Sequence, residues 1–357
     1  MIFFKRVVIN KTDKTAVILT YPGIGDIVWH LPFLHALAKV SSHKQIYLYT
    51  RSTTLAKDIL KYDKKIAKVF YLSETREFLN TIINFPGLIN KFKKEKLTTL
   101  WIFHRSPRYA IAGKLSKIKN IYGFGFGAQK IWLTSKKNIG SNAKKKDNVF
   151  KAKRFMNIHG INFKSYPEMS LPKKIIEKNV LQFKKYPKPW ITVGFSCNKT
   201  AFMEKNIPYS FYRTWRPEYF AKLINFILEK KTKKTFFLIG APNESRIAKS
   251  IIKKCSNKKK ILVSCYSIIK NLSILSQSKC FIGNDSGPLN LAGALGIKSF
   301  GLFGASPPIK NIKNILPIVP PGGQVNPHKD GFNPISLEQG MDLIKPELVY
   351  KKVKKYI

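Results

Sequence analysis

Residues 281–304 read Phe281-Ile-Gly-Asn-Asp-Ser-Gly-Pro-Leu-Asn-Leu-Ala-Gly-Ala-Leu-Gly296, then Ile-Lys-Ser-Phe-Gly-Leu-Phe-Gly304, and leave the backbone few choices. A short apolar run ends in an acidic turn, a helix starts, a glycine stops it, and a second apolar run begins. Asp285 and Ser286 are helix-capping residue types. Pro288 falls in the first turn, where a missing N–H costs nothing, and Gly296 sits where a left-handed C-terminal residue belongs. The stretch is one strand–helix–strand unit with an open helix N-terminus. Gly287 lets a ligand approach the backbone there, which makes the helix start a ready site for phosphate or pyrophosphate.

The same order of elements opens the chain. Residues 15–20 form a strand apolar on both faces, Tyr21-Pro-Gly-Ile-Gly-Asp26 is a glycine-rich turn, and 27–39 is a helix apolar nearly all round. Further strands at 45–50, 68–72, 97–103, 190–195, 235–240 and 261–264 alternate with helices, near 55–60, 217–230 and 244–254 among others. This alternation predicts an α/β fold of doubly wound parallel sheets. A chain of 357 residues exceeds one core. Two domains are therefore expected, 1–185 and 186–340, followed by a closing helix at 341–357 that could pack back on the first domain. Residues 78–96 read as a helix, or a pair of helices broken at Phe85-Pro86-Gly87. Residues 120–127 lack G-x-G-x-x-G spacing and read as a tight connection, and 141–153 as a polar loop before a helix at 155–160. Residues 196–217 form a long loop carrying Lys199, Lys205, Arg213 and Arg216; loops of that length are usually functional or flexible.

The formal net charge is +46, and only nine of the 65 basic residues are Arg. Three readings compete for such a lysine excess, a nucleic acid, an anionic membrane surface and a Lys-rich background, and the scarcity of Arg gives the background reading the greatest weight. No helix-turn-helix, ribonucleoprotein-type or zinc-finger pattern accompanies it, so nucleic acid is not the expected partner. Arg105 and Arg108 stand out in so Arg-poor a chain. They follow the strand at 97–103, at the sheet end where α/β proteins bind ligands, and planar guanidinium groups suit phosphate or carboxylate. The four cysteines form no C-x-x-C pair and read as reduced thiols of a cytoplasmic protein. The N-terminus has no continuous apolar region of a signal peptide, and no apolar run reaches the length of a membrane span, so membrane contact would be peripheral.

Gly-Ile-Gly-Asp26-Ile-Val with Leu31-Pro32 and Leu37, Gly283-Asn-Asp-Ser-Gly-Pro-Leu-x-Leu-Ala, Leu302-Phe-Gly with Pro307, and Arg213-x-Trp215-x-Pro217 together resemble glycosyltransferase family 9. These are the ADP-heptose:lipopolysaccharide heptosyltransferases and their relatives. The motifs run in consistent order over nearly the whole chain. The resemblance implies a GT-B fold, with an N-terminal acceptor domain and a C-terminal nucleotide-sugar domain facing each other across a cleft. It also implies inverting transfer by direct displacement. Asp26 would then be the base that takes the acceptor proton, or a helix cap, the two roles being compatible. Arg213 would stabilise the leaving diphosphate where relatives commonly have Lys. Donor contacts fall on Asp285, Ser286, Gly287, Pro288, Leu289 and Asn290, and acceptor contacts on Gly23, Gly25, Arg105 and Arg108.

The implied donor is a nucleotide sugar, ADP-heptose being favoured, and the implied acceptor an anionic glycolipid or glycan of the lipopolysaccharide-core type at the cytoplasmic face of the inner membrane. No D-x-D occurs in the sequence, so neither a metal nor any other cofactor is expected. Two departures matter: Asn290 stands where the family typically has His, and 326–332 lack the Cys residues of many relatives. The alternatives are a GT-B transferase with another donor and a soluble acceptor, or a non-catalytic carbohydrate- or nucleic-acid-binding protein.

Overall fold

Short runs of β-branched and aromatic residues that are apolar on both faces need a parallel sheet covered by helices, and the computed structural model of this chain contains two such sheets. It describes residues 13–72, 78–197, 213–229, 233–304, 306–323 and 340–357, with 78–83 described by backbone alone. Lys199 and Lys205, the N-terminal run and residues 326–332 lie outside that set. The chain divides into two compact units, Met1–Pro167 and Glu168–Ile357.

In the first unit β1 (Thr15–Leu19), α1 (Ile24–Val40), β2 (Ile46–Thr50), α2 (Ala56–Ile59), β3 (Ile66–Tyr71), α3 (Phe78–Lys94), β4 (Thr99–Ile102), α4 (Arg108–Leu115) and β5 (Asn120–Gly123) precede α5 (Gln129–Trp132) and α6 (Asn148–Ile158). The sheet order is β3-β2-β1-β4-β5, and all pairs are parallel. The chain winds outward from β1 and returns on its other side with β4, so the order reverses between these two strands. Open α/β sheets bind ligands at the carboxyl ends of strands at such a reversal.

The second unit runs α7 (Lys173–Val180), β6 (Trp190–Gly194), α8 (Pro217–Leu228), β7 (Thr235–Ile239), α9 (Ser245–Lys253), β8 (Ile261–Ser264), α10 (Ile268–Ser276), β9 (Cys280–Asn284), α11 (Gly287–Ala294), β10 (Lys298–Leu302), β11 (Ile315–Ile318) and α12 (Pro346–Val353). Its sheet, ordered β11-β10-β9-β6-β7-β8, is again parallel and reverses between β6 and β9. Those two strands pair Gly194 with Gly283, and a Cβ on Gly283 would lie 2.4 Å from the Gly194 carbonyl oxygen. Phe220, Leu223, Ile224 and Ile227 recur at helical spacing along α8 and bury its inner face. Val349 and Val353 of α12 join the same core.

Several expectations change. The units part after Pro167, earlier than the expected 185, because Val180 and Phe183 pack with Trp190, Phe237 and Ile274 of the second unit. Residues 120–123 form a strand, β5: Ile121 enters the core and Tyr122 stacks on Trp101 with ring centroids 4.3 Å apart. The helix α3 continues through Pro86, with Leu88 and Phe92 buried beyond it. α6 starts at Asn148, inside the expected polar loop, because the Asp147 carboxylate caps it by accepting the Phe150 N–H at 2.8 Å. β11 contains Pro317, which a sheet edge tolerates because no further strand needs its N–H. Among the described residues no helix is long and apolar enough to cross a membrane.

Candidate active site

At the β1–β4 reversal α1 begins three residues earlier than expected. Gly23 is the residue that caps it, and Asp26 is its third residue. The Asp26 carboxylate is therefore not a side-chain N-cap. It reaches backward instead, Oδ2 accepting the Gly23 N–H at 2.9 Å. A Cβ on Gly23 would lie 3.0 Å from that oxygen, so the absent side chain leaves the carboxylate its place. Burial pushes the Asp26 carboxyl up to about 6, against the opposing pull of the Gly23 N–H and the charge of Arg51. Among the described residues Asp26 has no ion pair.

Buried His30, one turn on, donates from Nδ1 to the Asp26 carbonyl oxygen at 2.7 Å and fixes the first turn of α1. Burial holds its imidazole down at about 4, so it is neutral at pH 7. From the end of β2, the Thr53 hydroxyl donates to the Pro22 carbonyl at 2.7 Å and ties the next turn to the glycine loop.

Arg105 and Arg108 follow β4, as expected. Arg105 is exposed; Arg108 opens α4, with its guanidinium over the Tyr109 ring and hydrogen-bonded to the Tyr109 hydroxyl. The charges of Arg108, Arg105 and Arg51 all act on His104, which burial and these cations hold at about 4. Lys151 of α6 is lowered by burial and by Arg105. Four cations thus crowd the sheet end that carries Asp26. Arg51 was legible by the reasoning that singled out Arg105, since it directly follows a strand in an Arg-poor chain. Lys151 carried no signal among so many lysines.

At the β6–β9 reversal the expected capping chemistry is different. Ser286 occupies the N-cap position of α11 but makes no side-chain cap bond, and its buried hydroxyl has no hydrogen-bond partner among the described residues. Asp285, 7 % exposed, is not a cap either: Oδ2 pairs with Arg213 Nη1 at 2.9 Å and accepts the Ser306 hydroxyl. Gly287 and Leu289 keep first-turn amides that no intrahelical carbonyl can satisfy, while Pro288 has none. The Leu289 side chain lies in the core, so this residue offers a ligand only its backbone. The Asn290 amide, also buried, donates to the Ser286 carbonyl at 2.8 Å. Gly296, at φ +83°, takes the left-handed conformation expected after the helix.

The segment bearing Arg213 is anchored on both sides. Buried Asn284 accepts the Trp215 N–H at 3.0 Å and donates to the Phe195 carbonyl at 2.9 Å. The Trp215 indole donates to the Ile344 carbonyl at 2.7 Å, and Arg216 pairs with Asp342. Near the end of β7, buried Glu244 accepts the Ser196 hydroxyl at 2.6 Å and the Ala241 N–H at 2.7 Å, and burial raises its carboxyl. Asn284 and Glu244 were not singled out from sequence; the Asn-Asp pair at 284–285 was the available sign of the first.

Residues 197–316 fit the model of glycosyltransferase family 9 (heptosyltransferase). No curated protein sequence matches the chain. Among solved structures, the chain is similar to Escherichia coli ADP-heptose lps heptosyltransferase II, with a TM-score of 0.71 at 13 % identity over 96 % of this chain and 98 % of that one. A glycosyl transferase family 9 protein from Veillonella parvula gives 0.72 at 15 % identity over 98 % of both chains. The E. coli heptosyltransferase WaaC with ADP-2-deoxy-2-fluoro heptose gives 0.63 at 13 % identity, over 96 % of this chain and 100 % of that one. At these identities the structural likeness speaks for the fold, two Rossmann-like units of the GT-B type. Residues 197–316 thus match the glycosyltransferase family 9 model, within a chain that shares the fold of solved heptosyltransferase structures.

Proposed function

We propose that this protein moves a heptose or related sugar from a nucleotide donor, ADP-heptose being favoured, to an anionic glycan or glycolipid acceptor of the lipopolysaccharide-core type, with inversion and without a metal. The observation that carries this reading is the carboxyl of Asp26. It is held at a helix start by a backbone amide, free of any ion pair among the described residues, and raised to about 6. A general base works best when it is ionised at working pH yet retains proton affinity, and about 6 meets both conditions.

Each sheet end contributes one half of the chemistry. Asp26 takes the proton of the attacking acceptor hydroxyl, whose oxygen displaces the nucleoside diphosphate at the anomeric carbon. Gly23 and Gly25 let the acceptor approach α1, and Arg105 and Arg108, with Arg51 and Lys151, receive its anionic groups. Lys151, lowered chiefly by burial and further by the charge of Arg105, gains from such a partner. On the donor side the Ser286 hydroxyl and the Gly287 and Leu289 amides meet the pyrophosphate. Arg213 spends Nη1 on Asp285 and has further N–H groups for the developing negative charge. The absence of D-x-D supports cations and amides in place of a metal. Association with the cytoplasmic face of the inner membrane would be peripheral and electrostatic.

Two measurements test the reading. Mass spectrometry of a phosphorylated lipid-linked oligosaccharide incubated with ADP-heptose should show one added heptose. A thermal-shift panel should rank ADP above GDP and UDP. A protein stabilised by UDP and inert toward ADP-heptose contradicts the donor assignment.

A further inference from the structure

The glycine run at 120–127 begins with β5 and leads to Gln129, the first residue of α5, whose side chain is fully buried. A buried amide needs all its polar groups paired, and the partners of Gln129 come from two loops. Oε1 accepts the Gly125 N–H at 2.9 Å, and Nε2 donates to the carbonyls of His104 at 2.8 Å and Ser106 at 3.2 Å. The glycines make room for it. A Cβ on Gly123 would lie 3.0 Å from the Gln129 oxygen and 2.9 Å from Leu133, and Gly125 adopts φ +75° so that its N–H meets the amide.

The loop so gripped is the one between β4 and α4, which carries Arg105 and leads into Arg108, the first residue of α4. Both carbonyls that Nε2 bonds lie within it, one on each side of Arg105. At its start the loop is held to the sheet by the Phe103 N–H, which donates to the Ile18 carbonyl at 2.9 Å. Around Arg105 its other hydrogen bonds among the described residues are local, the Ser106 N–H to His104 Nδ1 at 3.0 Å and the Arg108 N–H to the Ser106 hydroxyl at 3.4 Å, so there the Gln129 amide is what ties it to another segment.

We propose that Gln129, seated in the glycine socket, is a positioning residue that aims Arg105 and Arg108 at the phosphate groups of the acceptor. The inference rests on the acceptor reading given above. Gln129 touches no substrate; it sets where two guanidinium groups stand.

Gln129→Glu tests it with little change in shape. Glutamate keeps an acceptor for the Gly125 N–H but sets an oxygen against two carbonyl oxygens, which drives the loop off its socket. With a phosphorylated lipid-linked oligosaccharide as acceptor, KM for the acceptor should rise about tenfold, the cost of roughly one net hydrogen bond to a buried group. KM for the donor should hold, with the loss carried by KM rather than kcat. The preference for that acceptor over its phosphatase-treated form should fall by a similar factor. Gly123→Ala presses on the same amide from a residue outside the loop and should shift the same two quantities in the same direction. A merely structural residue would lower melting temperature and active fraction without changing the preference.

Arg105→Ala/Arg108→Ala separates the two claims. If the double variant loses the phosphate preference and both socket variants keep it, the positioning role is wrong and the acceptor reading stands. If the double variant also keeps it, both fall.

Discussion

The chain uses one local design twice, a buried strand running through a glycine-and-aspartate turn into a helix, and gives the two aspartates opposite employment. At the end of β1, Asp26 bonds a backbone amide within its own turn, and its charge is disfavoured by burial. At the end of β9, Asp285 faces Arg213 and the Ser306 hydroxyl, and its charge is matched. The difference lies in what the neighbouring segments bring. The 213–217 stretch, pinned by Asn284, delivers a guanidinium to Asp285. The 51–54 turn places Arg51 where it acts on Asp26 only as a field, without an ion pair. One carboxylate stays without an ion pair among the described residues; the other pairs with a guanidinium.

Removing the carboxylate proposed as the base should have the largest effect. Asp26→Asn should lower turnover by about a hundredfold to ten-thousandfold, the usual contribution of a positioned base, while donor binding measured by calorimetry is kept. Its stability should move the other way. A carboxyl raised in the folded state favours folding when protonated, and that contribution fades as pH climbs from the unfolded value through about 6. At pH 8 the asparagine variant should therefore melt at or above the wild-type temperature, and a clear drop would show that the Asp26 charge is structural.

Asp285→Ala should behave in the opposite manner. Losing one partner of a fully buried pair costs about 3–5 kcal/mol, and less is expected here because the Arg213 side chain is 36 % exposed. Melting temperature should fall and donor KM should rise, about tenfold, as Arg213 loses its aim. A variant with unaltered donor KM would mean that the pair does nothing for the ligand.

A smaller effect separates Asp26 from its surroundings. His30, His104 and His159 are all held at about 4 by burial, so the unfolded chain binds more protons than the folded one below about 6.5. Their contribution to stability should be full at neutral pH and be lost as pH falls from about 6.5 toward 4. Asp26 and Glu244, both raised by burial, oppose this trend, two groups against three. Melting curves across that range should show stability rising with pH.

Much of this was legible in the sequence, and the reasons for the rest are physical. The two-face apolar runs announced β1, β6, β7 and β9, because only a covered parallel sheet satisfies them. Asp26 and Asp285 were visible as acidic residues at strand ends. Their different partners were not, since Arg213 lies 72 positions from Asp285 and local pattern carries no record of that distance. The capping role expected of Asp285 was outcompeted by a tertiary ion pair, while Ser286 takes the N-cap position without a side-chain cap bond. β5 and β11 were hidden by glycines and by Pro317, which weaken a strand pattern at sheet edges where packing still supports a strand. Gln129 was silent for the same reason as Asn284: a buried amide is recognised by the backbone groups it meets, and these come from other segments.

The most direct test of the contrast between the two aspartates is the pH dependence of kcat/KM for the acceptor, in the wild type and in Arg51→Gln. If the raised carboxyl of Asp26 is the base, the wild-type rate should climb with pH and level off above an acid limb near 6. Removing the Arg51 charge, which favours the ionised form, should move that limb upward. A profile flat from pH 5 to 8, or a limb near 4 that Arg51→Gln leaves in place, would contradict the account.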